Sequence, residues 1–458
     1  MSPSKAISLN PNTGQVIKEY PFQTEVEVDA LLAQAYAGFS EWSQSEPSER
    51  SELLLKVAAE LRSNLAYLAQ LATDEMGKPI AQARAEVEKC AVLCEWYARN
   101  GAPMLQNEKT SIGDDAYVSY LPLGPVLAVM PWNFPYWQAM RGAVPILFGG
   151  NAYVLKHAPN VMGCAFGMEM VFEKAGLPKG AFTVLNVAPD LVSRAIKDKR
   201  IAAVAVTGSV RAGAAIAAQA GAALKKTVLE LGGSDPFIVL ADADIDQAVK
   251  AAVIGRFQNV GQICIAAKRI ILEEPIAKEF TDKFVAAVKA LKIGDPSDEA
   301  TFIGPMARYD LRDELHGQVQ ASLLEGAELL LGGNKVAGAG NFYEPTVLAD
   351  VRPGMTSFDQ EVFGPVAALI VAKNAEDAIA LANNSEFGLS GAIWTANKEV
   401  ATRLARRLES GGVFINGFSA SDPRVPIGGI KKSGYGRELS HFGVHEFMNA
   451  QTVWIDRK

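Results

Sequence analysis

The stretch IAAVAVTGSVRAGAAIAAQAG, Ile201–Gly221, decides the fold. It opens as a short apolar, partly β-branched run, turns at Gly208-Ser209, and continues as an alanine-rich helical segment. A strand that passes through a tight turn into a helix aims backbone N–H groups, and the positive end of the helix, at an anion. The glycines are Gly208 and Gly213 with Val210 between them, so the middle glycine of G-x-G-x-x-G is absent. Two readings stay open on this spacing: a dinucleotide site of variant geometry, or a strand-to-helix turn with packing glycines.

Outward from that stretch the same alternation recurs. GPVLAVMPW, NAYVLKHA and FTVLNVA read as buried strands, with PYWQAMRGAVPILFGG and VMGCAFGMEMVFEKAG as helices between them. After Glu230 it restarts with PFIVLADAD, IDQAVKAAVIGRFQNVG and RIILEE, which predicts a second α/β unit. Ahead of both, VEVDALLAQAYAGFSEW and ERSELLLKVAAELRSNLAYLAQLATDEMG have helical periodicity, the latter closed by Gly77. No internal repeat or low-complexity linker is visible.

Composition narrows the function classes. Hydrophobic residues are 49% and charged residues 21% of 458, and 44 Lys+Arg against 51 Asp+Glu give a formal charge of −7. That mild acidity argues against nucleic acid or an anionic membrane as partner. Apolar runs such as LPLGPVLAVMPW are broken by Pro and Gly before the roughly 18 residues a membrane helix needs. MSPSKAISLNPNTGQVIKEY has no apolar core after its lysine, so no secretory signal is expected and the location expected is cytoplasmic.

The cysteines are Cys90, Cys94, Cys164 and Cys264, too few for a disulfide framework. Cys90 and Cys94 have no second pair at zinc spacing, and His441-Phe-Gly-Val-His445 lacks the glutamate of a zinc-protease helix, so no metal is expected. Cys90, Cys94 and Cys164 read as small core fillers. Cys264 differs, because Gly261 and Gln262 precede it in FQNVGQICIAAKR and suggest a loop that can approach a ligand. Glu230 in LELGGSDP ends a strand before two glycines, where a general base can protrude. Asn133 in MPWNFPYW places an amide donor after a strand. Nucleophile, base and oxyanion donor are therefore all present.

WNFP, KTVLELGGSDP, FQNVGQICIAAKR, QEVFGPV and PIGGIKKSGYGRE resemble, in order and spacing, the motif set of the NAD(P)-dependent aldehyde dehydrogenase superfamily. The resemblance implies an α/β fold of three parts. These are a variant Rossmann cofactor domain (1–103 and 123–231), an α/β catalytic domain (232–438), and a small β oligomerisation flap (104–122 and 439–458). It implies a homodimer or homotetramer. It also implies that Cys264 attacks an aldehyde carbonyl, that Asn133 and the Cys264 backbone N–H hold the oxyanion, and that Glu230 activates the water that hydrolyses the thioester. Glu361 would bind the nicotinamide ribose, with Phe363 beside it, and Trp132, Gly208, Ser209 and Leu231 would line the cofactor cleft.

Cofactor and substrate positions depart in part from the family pattern. Lys156 matches the lysine that reaches the adenosine ribose, but His157, Ala158 and Pro159 replace the common Pro-x-Glu continuation. With no carboxylate to repel a 2′-phosphate, and Ala158 where some relatives have serine, both NAD and NADP are expected to work, NAD modestly better. Trp137 and Arg141 fall at i and i+4 of one helix face, and Arg141 can make a two-pronged contact with a substrate carboxylate or a structural ion pair. WNFPYWQAMR with Ser421 resembles the succinate-semialdehyde dehydrogenase branch, which implies oxidation of succinic semialdehyde to succinate. An aldehyde dehydrogenase for another semialdehyde or a neutral aliphatic aldehyde remains as the alternative, followed by a CoA-acylating relative and a non-catalytic binding protein of the same fold; Glu230 counts against the CoA-acylating relative and the intact Cys264, Glu230 and Asn133 against the binding protein.

Overall fold

Strands Pro125–Val129, Ala152–Lys156 and Ala203–Thr207 are buried along nearly their whole length. Only a sheet covered by helices on both faces provides that, which is the environment of parallel pairing. In the computed structural model, which describes residues 4–456, they lie in a six-stranded sheet. Its order is Gly434–Tyr435, Lys226–Glu230, Ala203–Thr207, Pro125–Val129, Ala152–Lys156, Phe182–Val184. Alternate residues of each strand serve opposite faces. Val126, Ala128, Tyr153 and Leu155 join a cluster with Leu68, Val87, Tyr97 and Phe148, whereas Leu127, Val154 and Val204 join Val28, Leu32, Ile196 and Ile216.

One expected helix is two. Residues 49–77 divide into Pro47–Ser63 and Leu65–Met76 at Asn64, whose backbone leaves helical values at φ −106°, ψ 14°. The Asn64 side-chain amide donates to the Glu60 carbonyl at 2.7 Å, offering the chain a local bond that competes with the next helical turn. Gly77 closes the second helix with φ 75°, a conformation that suits glycine.

The second unit is a seven-stranded sheet ordered Glu328–Leu331, Thr346–Ala349, Val366–Ala372, Ala267–Glu273, Asp235–Val239, Gly391–Trp394, Val413–Ile415, with the first strand alone antiparallel. Gly434–Tyr435 lies within the range read as the second unit, yet it pairs antiparallel with Glu230 and Leu229 of the first sheet. That return lays Gly428 against the Glu230 carboxylate, where a Cβ would stand 2.8 Å from Oε1. A third sheet pairs Gly113–Pro122 with Glu108–Thr110 on one side and Met448–Trp454 on the other.

The chain passes from the C-terminal end of strand Lys226–Glu230 to the start of strand Asp235–Val239 through residues 231–234. The crevice between the two units opens there, and the functional candidates converge on it. Among the described residues no helix is long and apolar enough to cross a membrane.

Candidate active site

Cys264 sits in the turn between helix Ile245–Phe257 and strand Ala267–Glu273. Just before it, Asn259, Val260 and Gly261 take φ values of 53°, 58° and 68°. A β-branched residue in that region is a genuine outlier, and each such residue is strained by on the order of 1–3 kcal/mol. Neighbouring polar groups hold the strain. The Asn259 N–H donates to Gln82 Oε1 at 2.8 Å and its side-chain amide to the Asn133 carbonyl at 2.7 Å. Gln262 donates to the Asn259 carbonyl at 3.2 Å and accepts from the Ala307 N–H at 3.0 Å. Buried Arg256 gathers the carbonyls of Gly261, Val362, Gly364 and Val366. A Cβ at Gly261 would overlap the Gly364 carbonyl, so the glycine is required both by torsion and by space.

Asn133, Glu230 and Cys264 line one cavity of about 340 Å³. One N–H of the Asn133 amide donates to the Gln262 carbonyl at 2.9 Å, which fixes the side chain and leaves its second N–H for a ligand. Around this cavity and its neighbour, Asn133 Oδ1, Trp137 Nε1, Gln138 Oε1, Arg141 Nη2, Thr207 Oγ1 and Glu230 Oε1 are buried without a hydrogen-bond partner. Native interiors pair nearly every such atom, so this concentration marks a place shaped for a polar ligand.

Electrostatics set the two reactive groups in order. Burial pushes the Glu230 carboxyl up to about 8; Arg141, with Nη2 at 3.7 Å, opposes the rise and Glu438 adds to it. Burial likewise raises the Cys264 thiol to about 11, against the pull of Arg141 and Lys268. The residue is nevertheless partly exposed, toward the cavity. A thiol this high needs a base to become thiolate at neutral pH, and a carboxyl titrating near 8 is matched to proton transfer there.

On one side of Cys264 the cavity suits a dinucleotide. Trp132 and Phe363 meet edge to face at 5.9 Å in its wall, beside Gly208, Ser209, Leu231 and Glu361. Ser209 caps helix Val210–Ala222 by accepting from the Ala212 N–H at 3.3 Å. No atom lies within 4 Å of a Cβ built at Gly208, so the turn before this helix is open to a ligand. Gly213 packs directly on the Leu231 side chain, the close helix-to-strand approach that the last glycine of a dinucleotide turn provides. Glu361 accepts from the Gly233 N–H at 3.1 Å and faces Lys268 at 3.3 Å. A Cβ at Gly232 would overlap the Glu361 carboxylate, and one at Gly233 would stand 2.8 Å from the Cys264 carbonyl oxygen. The paired glycines of LELGG thus let Glu361 and the cysteine loop close on the Glu230 strand.

Lys156 and Ala158 are not in the wall of that cavity. Lys156 ends its strand and Ala158 precedes a short helical turn. His157, between them, points inward: its Nε2 donates to the Pro135 carbonyl at 2.8 Å and its Nδ1 accepts from the Ala158 N–H at 3.0 Å. Burial lowers its pKa to about 4, so the ring is neutral and ties the strand end to the WNFP loop. Sequence reading registered His157 only as a departure from the family pattern. Arg308, Glu314 and Gln318 also line the cavity from helix Tyr309–Leu324 and its entry, and no local motif announces them.

On the other side lies a second cavity of about 160 Å³, lined among others by Trp137, Arg141, Ser421 and Lys89. Cys264 and Gln138 belong to the walls of both. The structure therefore brings the three residues read as substrate-binding to the sulfur. Arg141, however, is already engaged: its Nε donates to Glu438, and its Nη2 approaches Glu230. The fork expected to clasp a substrate carboxylate is thus held at Nε by Glu438, while its Nη2 is left without a hydrogen-bond partner. Lys89, which the sequence reading did not single out, reaches the cavity from helix Ile80–Asn100.

A sequence profile described as the aldehyde dehydrogenase family matches residues 2–453. The chain belongs to the aldehyde dehydrogenase family. This aldehyde dehydrogenase is 61% identical over 453 residues to a succinate semialdehyde dehydrogenase [NAD(P)+] of Escherichia coli (strain K12), covering 99% of the chain and 98% of the relative. It is 47% identical to a probable succinate-semialdehyde dehydrogenase [NADP(+)] of Synechocystis, over 98% of the chain and 99% of the relative. The crystal structure of a succinic semialdehyde dehydrogenase from Streptococcus pyogenes in complex with NADP+ superposes with a TM-score of 0.96 at 37% identity, over 99% of this chain and all of that one.

Proposed function

We propose that this aldehyde dehydrogenase oxidises succinic semialdehyde to succinate, with NAD or NADP as hydride acceptor. The observation that carries the reading is the position of Cys264 at the junction of two cavities, one with a dinucleotide turn and the other with a cation. Cys264 attacks the aldehyde carbon, and the free Asn133 N–H with the Cys264 backbone N–H receives the oxyanion. NAD(P), when bound, accepts the hydride. The acyl group stays on Cys264 as a thioester until Glu230 takes the proton of an attacking water. Glu361 would bind the nicotinamide ribose with Phe363 beside it, Trp132, Gly208, Ser209 and the Leu231 backbone would line the cofactor cleft, and Lys156 would reach the adenosine ribose with Ala158 next to it. Trp137, Arg141 and Ser421 enclose the substrate. The names of the two curated relatives support this substrate class.

Absence of a carboxylate at the Lys156 to Pro159 turn supports use of both cofactors, with NAD modestly preferred. The three-stranded sheet, with Ile112, Leu121 and Trp454 exposed, supports assembly into a homodimer or homotetramer through that flap. Four free thiols suit a reducing cytoplasm. Steady-state kinetics on succinic, glutaric and malonic semialdehydes and on neutral aldehydes, with each cofactor, test the reading. A higher kcat/KM for succinic semialdehyde supports it, equal values for all aldehydes refute the substrate, and strong NADP preference refutes the cofactor order.

A further inference from the structure

The peptide unit between Ile263 and Cys264 carries the Ile263 carbonyl at one end and the Cys264 N–H at the other. It is trans, so the two point in opposite directions, and whatever grips the carbonyl also aims the N–H. Lys268 grips it. Its Nζ donates to the Ile263 carbonyl at 2.8 Å and to the Cys264 carbonyl at 2.6 Å, and it faces Glu361 Oε1 at 3.3 Å. The Ala266 N–H closes a turn on the same Ile263 oxygen at 3.2 Å. Among the described residues no group accepts from the Cys264 N–H, which leaves it for a ligand.

Lys268 is 2% exposed and lies in the wall of neither cavity, so it acts through the groups it holds. A neutral amine would need a donor for its lone pair; two carbonyls and a carboxylate suit an ammonium. Burial works against that charge, while Glu361, Asp235 and Cys264 support it and Arg256 opposes. Asp235 is taken by Ser390, which donates to it through both its N–H and its hydroxyl. Arg269, the next residue of strand Ala267–Glu273, turns to the opposite face and donates to the carbonyls of Ser234, Leu381 and Ala382. Strand alternation thus sends one buried cation to the scaffold and the other to the cysteine loop. An ammonium on a peptide oxygen also draws electron density through the amide, which makes the N–H at the far end a stronger donor.

We propose that Lys268, anchored on Glu361, is a positioning residue for the oxyanion pocket: it holds and polarises the Ile263–Cys264 peptide so that the Cys264 N–H meets the aldehyde oxygen. This rests on the reading of Cys264 as the nucleophile. When Sγ bonds to the aldehyde carbon, the carbonyl π pair moves to oxygen, and the new charge meets the Cys264 N–H and the Asn133 amide. The pull of the ammonium, one peptide behind that N–H, grows with the charge on oxygen and is small before the bond forms. Such a group lowers the barrier and leaves binding of the aldehyde nearly unchanged. Glu361 gives Oε1 to this anchor and to the Gly233 N–H, so its Oε2 stays with the cofactor cavity.

The test compares wild type with Lys268→Met, Lys268→Gln and Lys268→Arg at saturating cofactor, on the aldehyde with the highest kcat/KM. Glutamine still offers N–H donors to the carbonyls, which keeps a folded neutral variant available. Iodoacetamide titration of Cys264 counts competent sites, so kcat is expressed per reactive thiol. In both neutral variants kcat and kcat/KM per thiol should fall together by roughly 10- to 100-fold, with KM for the aldehyde changed by less than about threefold. Arginine, which keeps the charge and the donors, should recover a large part of the loss. Unchanged kcat per thiol in the neutral variants, even with fewer competent sites, assigns Lys268 to structure and overturns the inference. A rise in KM alone assigns it to binding and overturns it too, and an arginine variant as slow as the neutral ones removes the role of the charge. Cys264→Ala separates the two readings: turnover without the thiol removes the nucleophile and this inference with it, whereas an inert Cys264→Ala beside an undiminished Lys268→Met overturns Lys268 alone.

Discussion

Replacing Glu230 by glutamine should both stabilise the protein and slow its turnover. The carboxyl is 3% exposed, and burial lifts its pKa from an ordinary 4.5 to about 8. A carboxyl whose pKa is higher in the folded chain keeps its proton there after the unfolded chain has lost it. Between about pH 4.5 and 8 the native state therefore binds more protons, and stability falls as pH rises. Each unit is about 1.4 kcal/mol, so at pH 7 the ionisable side chain destabilises the fold by on the order of 3 kcal/mol relative to one that never ionises. Glu230→Gln removes this term, and Arg141 keeps its ion pair with Glu438. Urea unfolding of both proteins from pH 5 to pH 8 should show the variant ahead by a margin that widens with pH, by up to about 1.4 kcal/mol per unit. With the aldehyde and cofactor, the same variant should turn over roughly 100- to 10,000-fold more slowly, since both thiolate formation and thioester hydrolysis lack their general base. A margin that stays flat across pH 5 to 8, or steady-state turnover equal to wild type, would refute the argument.

Iodoacetamide should inactivate the enzyme by labelling Cys264 alone, at a rate that climbs as pH rises toward 11, because Cys90, Cys94 and Cys164 are buried with thiols raised further; peptide mapping that finds any of those three labelled as fast contradicts this. Gly261→Ala, forced to φ 68° and into the Gly364 carbonyl, should lose about 1–3 kcal/mol of stability and lower kcat more than KM; unchanged kcat would show that the loop geometry is not what positions the sulfur.

Local pattern alone determined a good deal. Unbroken apolar runs alternating with helical segments imposed parallel sheets, because a strand apolar on both faces has no other environment. Glycine pairs and strand ends located Cys264, Glu230 and Asn133, whose positions follow from short-range backbone rules, and all three stand in one cavity wall. What only the tertiary structure decided is which charges face which. Arg141 and Glu438 are 297 positions apart, and Lys89 and Ser421 are 332 apart. The break at Asn64 turned on one side-chain hydrogen bond that periodicity does not register. Helical spacing says which face a residue occupies, whereas the neutralisation of a buried charge depends on atoms that distant segments bring within about 4 Å, and the Coulomb term there is steep. The sequence therefore contained the charges, and packing chose what each of them faces.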